Sequence, residues 1–212
     1  MTAVKRYVSQ GHSLLHWAVE VEVLCRRCGR AGVVRGNPSW RQWHATFLCQ
    51  GCGHRLETGK IPWQGPVLAT GRRPCGFCGH QWVHAEQRFE TVWQVQSETA
   101  QVPCPNCQKP NSVDLSFSRD NREDSANDPY FGLELALKQD TRLGTLWAFN
   151  AEHIHQLKRY TAAQLREGSG TKWSYFTRLP SWIKSAKHRE QVLKALSKLE
   201  ARALTRKWSP NQ

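Results

Sequence analysis

The sequence predicts an α+β protein, with two tandem four-cysteine modules rich in β-strand followed by a mainly helical C-terminal domain. Three observations carry this expectation. All eight cysteines fall in CxxC pairs, at 25/28, 49/52, 75/78 and 104/107. Short β-rich runs bounded by Gly and Pro lie between those pairs, whereas helical periodicity begins only near residue 150. The positive charge rises toward the end of the chain. At 212 residues the chain is long enough for one to three units. With 39% hydrophobic and 22% charged residues it is globular rather than disordered in composition, and ten tryptophans supply large areas for burial.

The cysteine spacing is the most specific signal. The apolar runs are only a few residues long, so no membrane span is expected. The opening MTAVKRYVSQGHSLLHWAVEVEV lacks the continuous apolar stretch of a signal peptide. A cytoplasmic location follows as an expectation, and disulfides are rare there. A thioredoxin-like redox role needs one CxxC opening a helix. Four copies followed by Gly or flanked by Pro do not fit it. The two thiols of a CxxC turn point the same way and suit one metal ion. Cys25, Cys28, Cys49, Cys52, Cys75, Cys78, Cys104 and Cys107 are therefore the expected metal ligands, holding two structural zinc ions. All-sulfur coordination leaves no open position to activate water.

The local sequences CRRCGR, CQGCGH, CGFCGH and CPNCQK read as tight turns, or knuckles. Gly29, Gly53 and Gly79 follow the second cysteine, where such a turn asks for positive φ. The turn also aims backbone N–H groups at the sulfurs, and Pro103 and Pro105 stiffen the fourth copy. The gap after the first knuckle reads as a hairpin, with Val33-Val34, a turn at Gly36-Asn37-Pro38, and Trp43 to Leu48. The third gap is β-rich through Gln81–His84 and Arg88–Val95, with Phe89, Val92 or Trp93, and Val95 as the counterpart of the first module's leading strand. The second gap, with Gly59, Pro62, Gly65, Pro66, Gly71 and Pro74, reads mainly as connection. This pairs Cys25/Cys28 with Cys49/Cys52, and Cys75/Cys78 with Cys104/Cys107. An interleaved cross-brace is the alternative.

From about residue 17 to 117 the chain resembles two tandem zinc ribbons, the small β modules of transcription factors, polymerase subunits and topoisomerases. The stretch TLWAFNAEHIHQLKRYTAAQLREG is similar to uncharacterised bacterial zinc-ribbon proteins. The resemblance implies bound zinc and contacts with DNA, RNA or protein, and it implies no particular chemistry. The expected division is a first ribbon with its N-terminal strand at 1–65, a second ribbon at 66–118, a linker at 119–129 and a basic helical domain at 130–212.

In His16–Val23, Trp17, Val19, Val21 and Val23 alternate with Glu20 and Glu22 as a strand feeding the first knuckle. The polar run 118–129 contains Asp120, Glu123, Asp124 and Asp128, expected to be a solvated loop. The segments near Leu133–Leu137 and Gly144–Phe149 read as short strands or packed loops. Asn150 caps a helix expected to run to about Glu167, with Ile154, Leu157, Thr161 and Leu165 near one face and Gly168 as its stop. A last helix from near Ser185 to beyond Leu204 repeats Val192, Leu196, Leu199 and Ala203 at helical spacing.

The chain has 30 Lys and Arg against 17 Asp and Glu, a formal charge of +13. Two divalent cations on eight thiolates lower this to about +9. Residues 168–212 hold ten basic and two acidic side chains, so the field concentrates at the C-terminal end. Such a field suits a phosphate backbone. The expected contacts are Lys172, Lys184, Lys187, Arg189, Lys194, Lys198, Arg202 and Arg206, with Arg26 and Arg27 in the first knuckle. Trp173, Tyr175, Trp182, Trp40 and Trp43 are candidates for base stacking or for the core.

No HExxH, Walker A, GxGxxG or GxSxG motif occurs, and none of the nine histidines is assigned to catalysis. His153 and His155, two apart on a helix, do not converge. His54 and His80 follow knuckles as spare ligands. The expected function is a zinc-stabilised nucleic-acid-binding accessory or regulatory protein. The alternatives are a protein-interaction adaptor and a nuclease assembled from distant residues.

Overall fold

The computed structural model describes residues 6–39, 42–120, 125–167, 170 and 174–207, without the side chains of 42 and 204–207. In chain order the strands are β1 (Arg6–Val8), β2 (Glu20–Leu24), β3 (Ala31–Ser39), β4 (Gln42–Leu48), β5 (Arg55–Glu57), β6 (Val67–Arg73), β7 (Val83–Phe89), β8 (Thr99–Pro103), β9 (Pro110–Asp114), β10 (Ser116–Arg119), β11 (Lys138–Thr141), β12 (Gly144–Trp147) and β13 (Leu165–Glu167). The α-helices are α1 (Ala151–Ala162), α2 (Tyr175–Arg178), α3 (Ser181–Lys184) and α4 (Arg189–Lys207). The protein is mixed α and β, strand-rich, with a long helix at the C-terminal end. No helix among the described residues is long and apolar enough to cross a membrane.

The chain forms two compact units, one from Met1–Ile61 with Ala126–Gln212, the other from Pro62–Ser125. This differs from the sequential division at 65, 118 and 129. The first cysteine module and the C-terminal segment share one core. The second module is inserted between them in sequence, and the linker expected at 119–129 is divided between the two units.

The core of the first unit starts from strand alternation. In β2, Val21 and Val23 are buried and Glu20 is exposed. The antiparallel sheet β2-β3-β4-β5 aligns Val21 with Val34, Val34 with Phe47, and Phe47 with Leu56. These four buried side chains form one row across the sheet. One row is too little apolar surface for a stable module of this size. The rest comes from FGLELAL, whose Phe131, Leu133, Leu135 and Leu137 are all buried in the same cluster. This segment also completes the free edge of β2. Leu24 donates its N–H to Glu134 O (2.8 Å) and Ala136 to Glu22 O (2.9 Å), while Phe149, beyond β12, accepts from Glu22 N–H (2.8 Å).

Asp128 organises the turn into this segment. Its buried carboxylate accepts N–H bonds from Tyr130, Phe131 and Leu133. In the second unit Asp120 is buried too and faces Arg88 at 3.5 Å. The acidic run is thus not a solvated loop at these two positions; Glu123 and Asp124 lie outside the described residues.

Gly36-Asn37-Pro38 is not a turn. It continues β3, with Gly36 opposite Ala45, Pro38 opposite Trp43 and Ser39 opposite Gln42; residues 40–41 lie outside the described residues. Gly36 serves close approach instead. The Tyr130 ring lies on it so closely that a Cβ there would stand 2.2 Å from Tyr130 Cζ. The Tyr130 hydroxyl donates to Ala18 O (2.9 Å).

In α1, the Asn150 side chain accepts from His153 N–H, and Ile154, Leu157 and Thr161 are buried, as expected. The helix ends at Ala162 rather than near 167. Leu165 is 61% exposed, and its strand β13 pairs in parallel with β1, fastened by an Arg6–Glu167 ion pair at 2.8 Å. Gly168, the expected stop, is outside the described residues. Val192, Leu196, Leu199 and Ala203 of α4 are all buried. Residues 138–147 form the β11–β12 hairpin, so the C-terminal segment is helical only in part.

The second unit is smaller. Sheet β10-β6-β7 and hairpin β8–β9 enclose Ala69, Val83, Ala85, Ala100, Val113 and Leu115 with Cys75 and Cys104. Two expectations change here. The second gap is not mainly connection, since Val67–Arg73 is a seven-residue strand. The Phe89–Val95 stretch is not the leading strand, because Val92–Gln94 is a helical turn. That role belongs to β6, which leads directly into Cys75. Gly71 lets β6 pass close to the chain at Asp114, whose carbonyl oxygen would stand 2.2 Å from a Cβ.

Candidate metal centres and basic surfaces

Each CxxC turn links two antiparallel segments or closes a hairpin by the same two hydrogen bonds. Cys25 N–H donates to Arg30 O (2.7 Å) and Gly29 N–H to Cys25 O (2.7 Å). The pattern recurs at Cys49/His54 with Gly53/Cys49, at Cys75/His80 with Gly79/Cys75, and at Cys104/Lys109 with Gln108/Cys104. Gly29, Gly53 and Gly79 have φ of 70°, 69° and 71°. The fourth knuckle keeps this geometry without glycine, at Gln108 with φ 60°. The turn therefore sets the backbone, and glycine is its least strained occupant.

The knuckles converge in pairs. Cys25, Cys28, Cys49 and Cys52 form one cluster, and Cys75, Cys78, Cys104 and Cys107 the other, with each cluster's sulfurs within 4.8 Å of one another. The sequential pairing is the one adopted. Sulfur separations include 3.7 Å (Cys25–Cys52), 3.5 Å (Cys28–Cys49), 3.7 Å (Cys75–Cys107) and 3.8 Å (Cys78–Cys104). These are far beyond a disulfide bond of about 2.05 Å. A tetrahedron with sulfurs about 2.3 Å from its centre has edges of about 3.8 Å, so the clusters have the dimensions of four-coordinate metal sites.

Neighbouring dipoles stabilise thiolate charge. The Phe77 N–H donates to Cys75 Sγ at 3.4 Å and is the main cause pulling this thiol down to about 6. At Cys49, burial opposes ionisation, and the N–H groups of Gly51 and Cys52 with the adjoining thiols overcome it, to about 7. In the second centre the buried Asn111 side chain donates to Cys75 Sγ (3.6 Å) and Lys109 O (2.9 Å) while accepting from Gly76 N–H (3.0 Å). Asn106 donates to Cys78 Sγ (3.5 Å). Neither asparagine stood out in the sequence. Asn106 lies inside CPNC, but Asn111 reaches its sulfur only because β9 folds beside the third knuckle. In the first centre, His54 Nδ1 lies 3.7 Å from Cys25 Sγ, outside the four-sulfur set. Burial first, then the Arg27 charge, holds this imidazole below the usual histidine range.

No protein family, curated protein or solved structure matches the chain.

The basic candidates separate by position. Lys194, Lys198 and Arg202 are exposed at four-residue intervals on α4, opposite the buried Val192, Leu196, Leu199 and Ala203. Arg202 also donates to Lys138 O (2.8 Å) and Gln139 Oε1 (2.9 Å), which pins the helix to β11. Lys187 is exposed, Arg189 is half-buried, and Lys184 is exposed with its ammonium on Thr177 O (3.2 Å). Arg26 and Arg27 are exposed in the first knuckle, away in sequence from this helix. Lys172 and the Arg206 side chain lie outside the described residues.

The expected stacking residues are packed inward. Tyr175 meets the rings of Trp17 and His153, Trp182 is half-buried against the core, and Trp43 lies on Tyr130 at 4.7 Å. Trp40 and Trp173 lie outside the described residues. The buried His153 ring stacks on Trp17 at 4.6 Å, and its Nδ1 accepts from Phe149 N–H (3.2 Å). It is structural, not a catalytic partner for His155. Among the described residues, the large exposed aromatics lie instead in the second unit, at Phe77, Trp82, Trp93 and Phe117.

Proposed function

We propose that the protein is a zinc-stabilised nucleic-acid-binding accessory or regulatory factor of the tandem zinc-ribbon type. Four thiolates per centre are a donor set suited to Zn²⁺. With every position filled by sulfur, zinc supplies folding energy and activates no water. The residues holding it would be Cys25, Cys28, Cys49 and Cys52, and Cys75, Cys78, Cys104 and Cys107. A reducing cytoplasm keeps such thiols available. Because the first four-cysteine sheet shares its core with α1 and α4, zinc at that centre would steady the helical surface as well.

The observation that carries the binding function is the two-faced character of α4. Its apolar residues Val192, Leu196, Leu199 and Ala203 are buried in the core, and its outer face presents Lys194, Lys198 and Arg202 in a row. A helix row of cations places charge along a polyanion without reading its sequence. Binding of duplex and single-stranded oligonucleotides should fall steeply as salt rises. The double substitution Lys194→Glu/Lys198→Glu should abolish binding at moderate salt while preserving two zinc ions per chain. The absence of any shift with micromolar wild-type protein at low salt would defeat the proposal.

The second reading is a protein-interaction adaptor. The observation favouring it is Trp93, 68% exposed on the β7–β8 connection. A defined partner that co-purifies after nuclease treatment and is lost on Trp93→Ala would select it.

A further inference from the structure

The second unit has a polarised surface. All its acidic residues lie outside 71–84 and 100–112, the two segments that contain its knuckles. Those segments carry Arg72, Arg73 and Lys109, with His80 and His84. Strand register puts Arg72 opposite His84 and Arg73 opposite Val83, at the end of β6–β7 that enters and leaves the third knuckle. Lys109 follows the fourth knuckle directly. The cations therefore gather at the end of the unit that holds its four sulfurs.

Two exposed aromatic rings share this end, each with a cation over it. Phe77, inside the third knuckle, is 60% exposed, and the Lys109 ammonium stands 5.0 Å from its ring centre. Trp82, immediately before β7, is 37% exposed, and the Arg72 guanidinium stands 4.8 Å from its ring centre. A side chain at Phe77 cannot turn inward, because the knuckle wraps the sulfurs and its own N–H is aimed at Cys75. The first centre has the cations, Arg26, Arg27, Arg30 and Arg55, but no aromatic residue at the matching knuckle positions. Solvent-facing rings interleaved with cations are the elements of a base-stacking platform.

We infer that the cysteine end of the second unit, through Phe77 and Trp82 with Arg72, Arg73 and Lys109, binds single-stranded nucleic acid by stacking unpaired bases. This rests on the nucleic-acid reading above and gives it a strand preference that the helix row by itself lacks. Charge complementarity favours this occupant over a protein. A polyanion meets cations with no acidic residue in the same segments, and bases supply flat faces for both rings. A base in a duplex is already stacked on its neighbours and offers neither ring a face, so duplex DNA gains only the phosphate contacts.

The test uses the full-length, zinc-loaded chain and 12-nucleotide DNA and RNA single strands, with a 12-base-pair duplex as the reference, all at one salt concentration. Phe77→Ala/Trp82→Ala should weaken single-strand binding by about tenfold or more and leave duplex binding within about twofold. Arg72→Ala/Lys109→Ala should weaken both. Zinc content of two per chain certifies that each variant is folded. Unchanged single-strand binding in Phe77→Ala/Trp82→Ala overturns the inference while the helix-row proposal stands. An equal loss for single strand and duplex overturns stacking as the mechanism. Unchanged oligonucleotide binding together with loss of a co-purifying protein assigns the surface to a protein and overturns it. Failure of the wild type to bind any oligonucleotide removes both readings.

Discussion

Replacing Gly36 with alanine should break the joint between the first cysteine module and the C-terminal segment. The new Cβ would stand 2.2 Å from Tyr130 Cζ and 2.4 Å from its hydroxyl oxygen. Ordinary carbon contacts lie at about 3.5–4.0 Å, so the ring must retreat by more than about 1 Å. Overpacking of a filled core costs about 1–3 kcal/mol. The retreat also breaks the bond from the Tyr130 hydroxyl to Ala18 O, a further ~1 kcal/mol. Gly36→Ala should therefore destabilise the first unit by about 2–4 kcal/mol. Tyr130→Leu removes the far end of the ring, and in that background Gly36→Ala should cost less than about 1 kcal/mol, since alanine suits a strand better than glycine. Urea unfolding of the four zinc-loaded chains gives the coupling directly, expected at about 2 kcal/mol. Equal costs for Gly36→Ala in the two backgrounds, within about 0.5 kcal/mol, would refute the idea that this ring holds the segments together.

Other outcomes follow from the same geometry. Gly79→Ala should destabilise by about 1–2 kcal/mol from its positive φ alone, because no atom lies within 4 Å of the new methyl, whereas Gln108→Gly should be neutral to stabilising; chelator-resistant thermal unfolding would show both. Asn111→Leu should lower zinc affinity at the second centre by about 10–100-fold and leave the first unchanged, as read by competition with a chromogenic chelator. Burial lowers His153 to about 3, against an ordinary value near 6.5, so its unfolded form binds the extra proton between those limits. The associated stability is complete above about pH 6.5 and is lost as pH falls toward 3, by up to about 1.4 kcal/mol per unit. Thiolate protonation acts in the same range, so the test is the difference in pH slope between wild type and His153→Phe. Identical slopes would exclude a buried neutral imidazole.

The local chemistry of this protein was legible in the linear chain. The CxxC spacing identified all eight sulfurs, and the glycine after each of three knuckles marked a positive φ that the structure realises. The strand-rich first gap pointed to the sequential pairing of knuckles, although the second gap, read as connection, holds a seven-residue strand. Alternation marked Val21 and Val23 of β2, although the strand begins only at Glu20, Trp17 lies in the helical turn Leu14–Trp17 and Val19 is exposed; the Asn150 cap started α1, and four-residue spacing selected the buried face of α4. Each is a short-range signal, set by the stereochemistry of a turn or by one face of one element.

Longer-range outcomes were not written in any local pattern. Gly36-Asn37-Pro38 has turn composition, yet it pairs as strand with Ala45, His44 and Trp43, and Gly36 there supplies the bare backbone on which Tyr130, 94 positions away, lies. Leu165 fits the helical period of α1, but α1 ends at Ala162 and Leu165 instead pairs with Arg6 in the parallel β1–β13 ladder, exposed to solvent. Asp128 looks solvated among polar neighbours and is buried because three backbone N–H groups converge on it. Sequence alone determined where the sulfurs sit and which residues alternate. Only tertiary packing decided that the first module and the C-terminal helices are one body, because a single row of four apolar residues cannot hold a sheet, and the missing surface comes from a segment beyond the intervening unit.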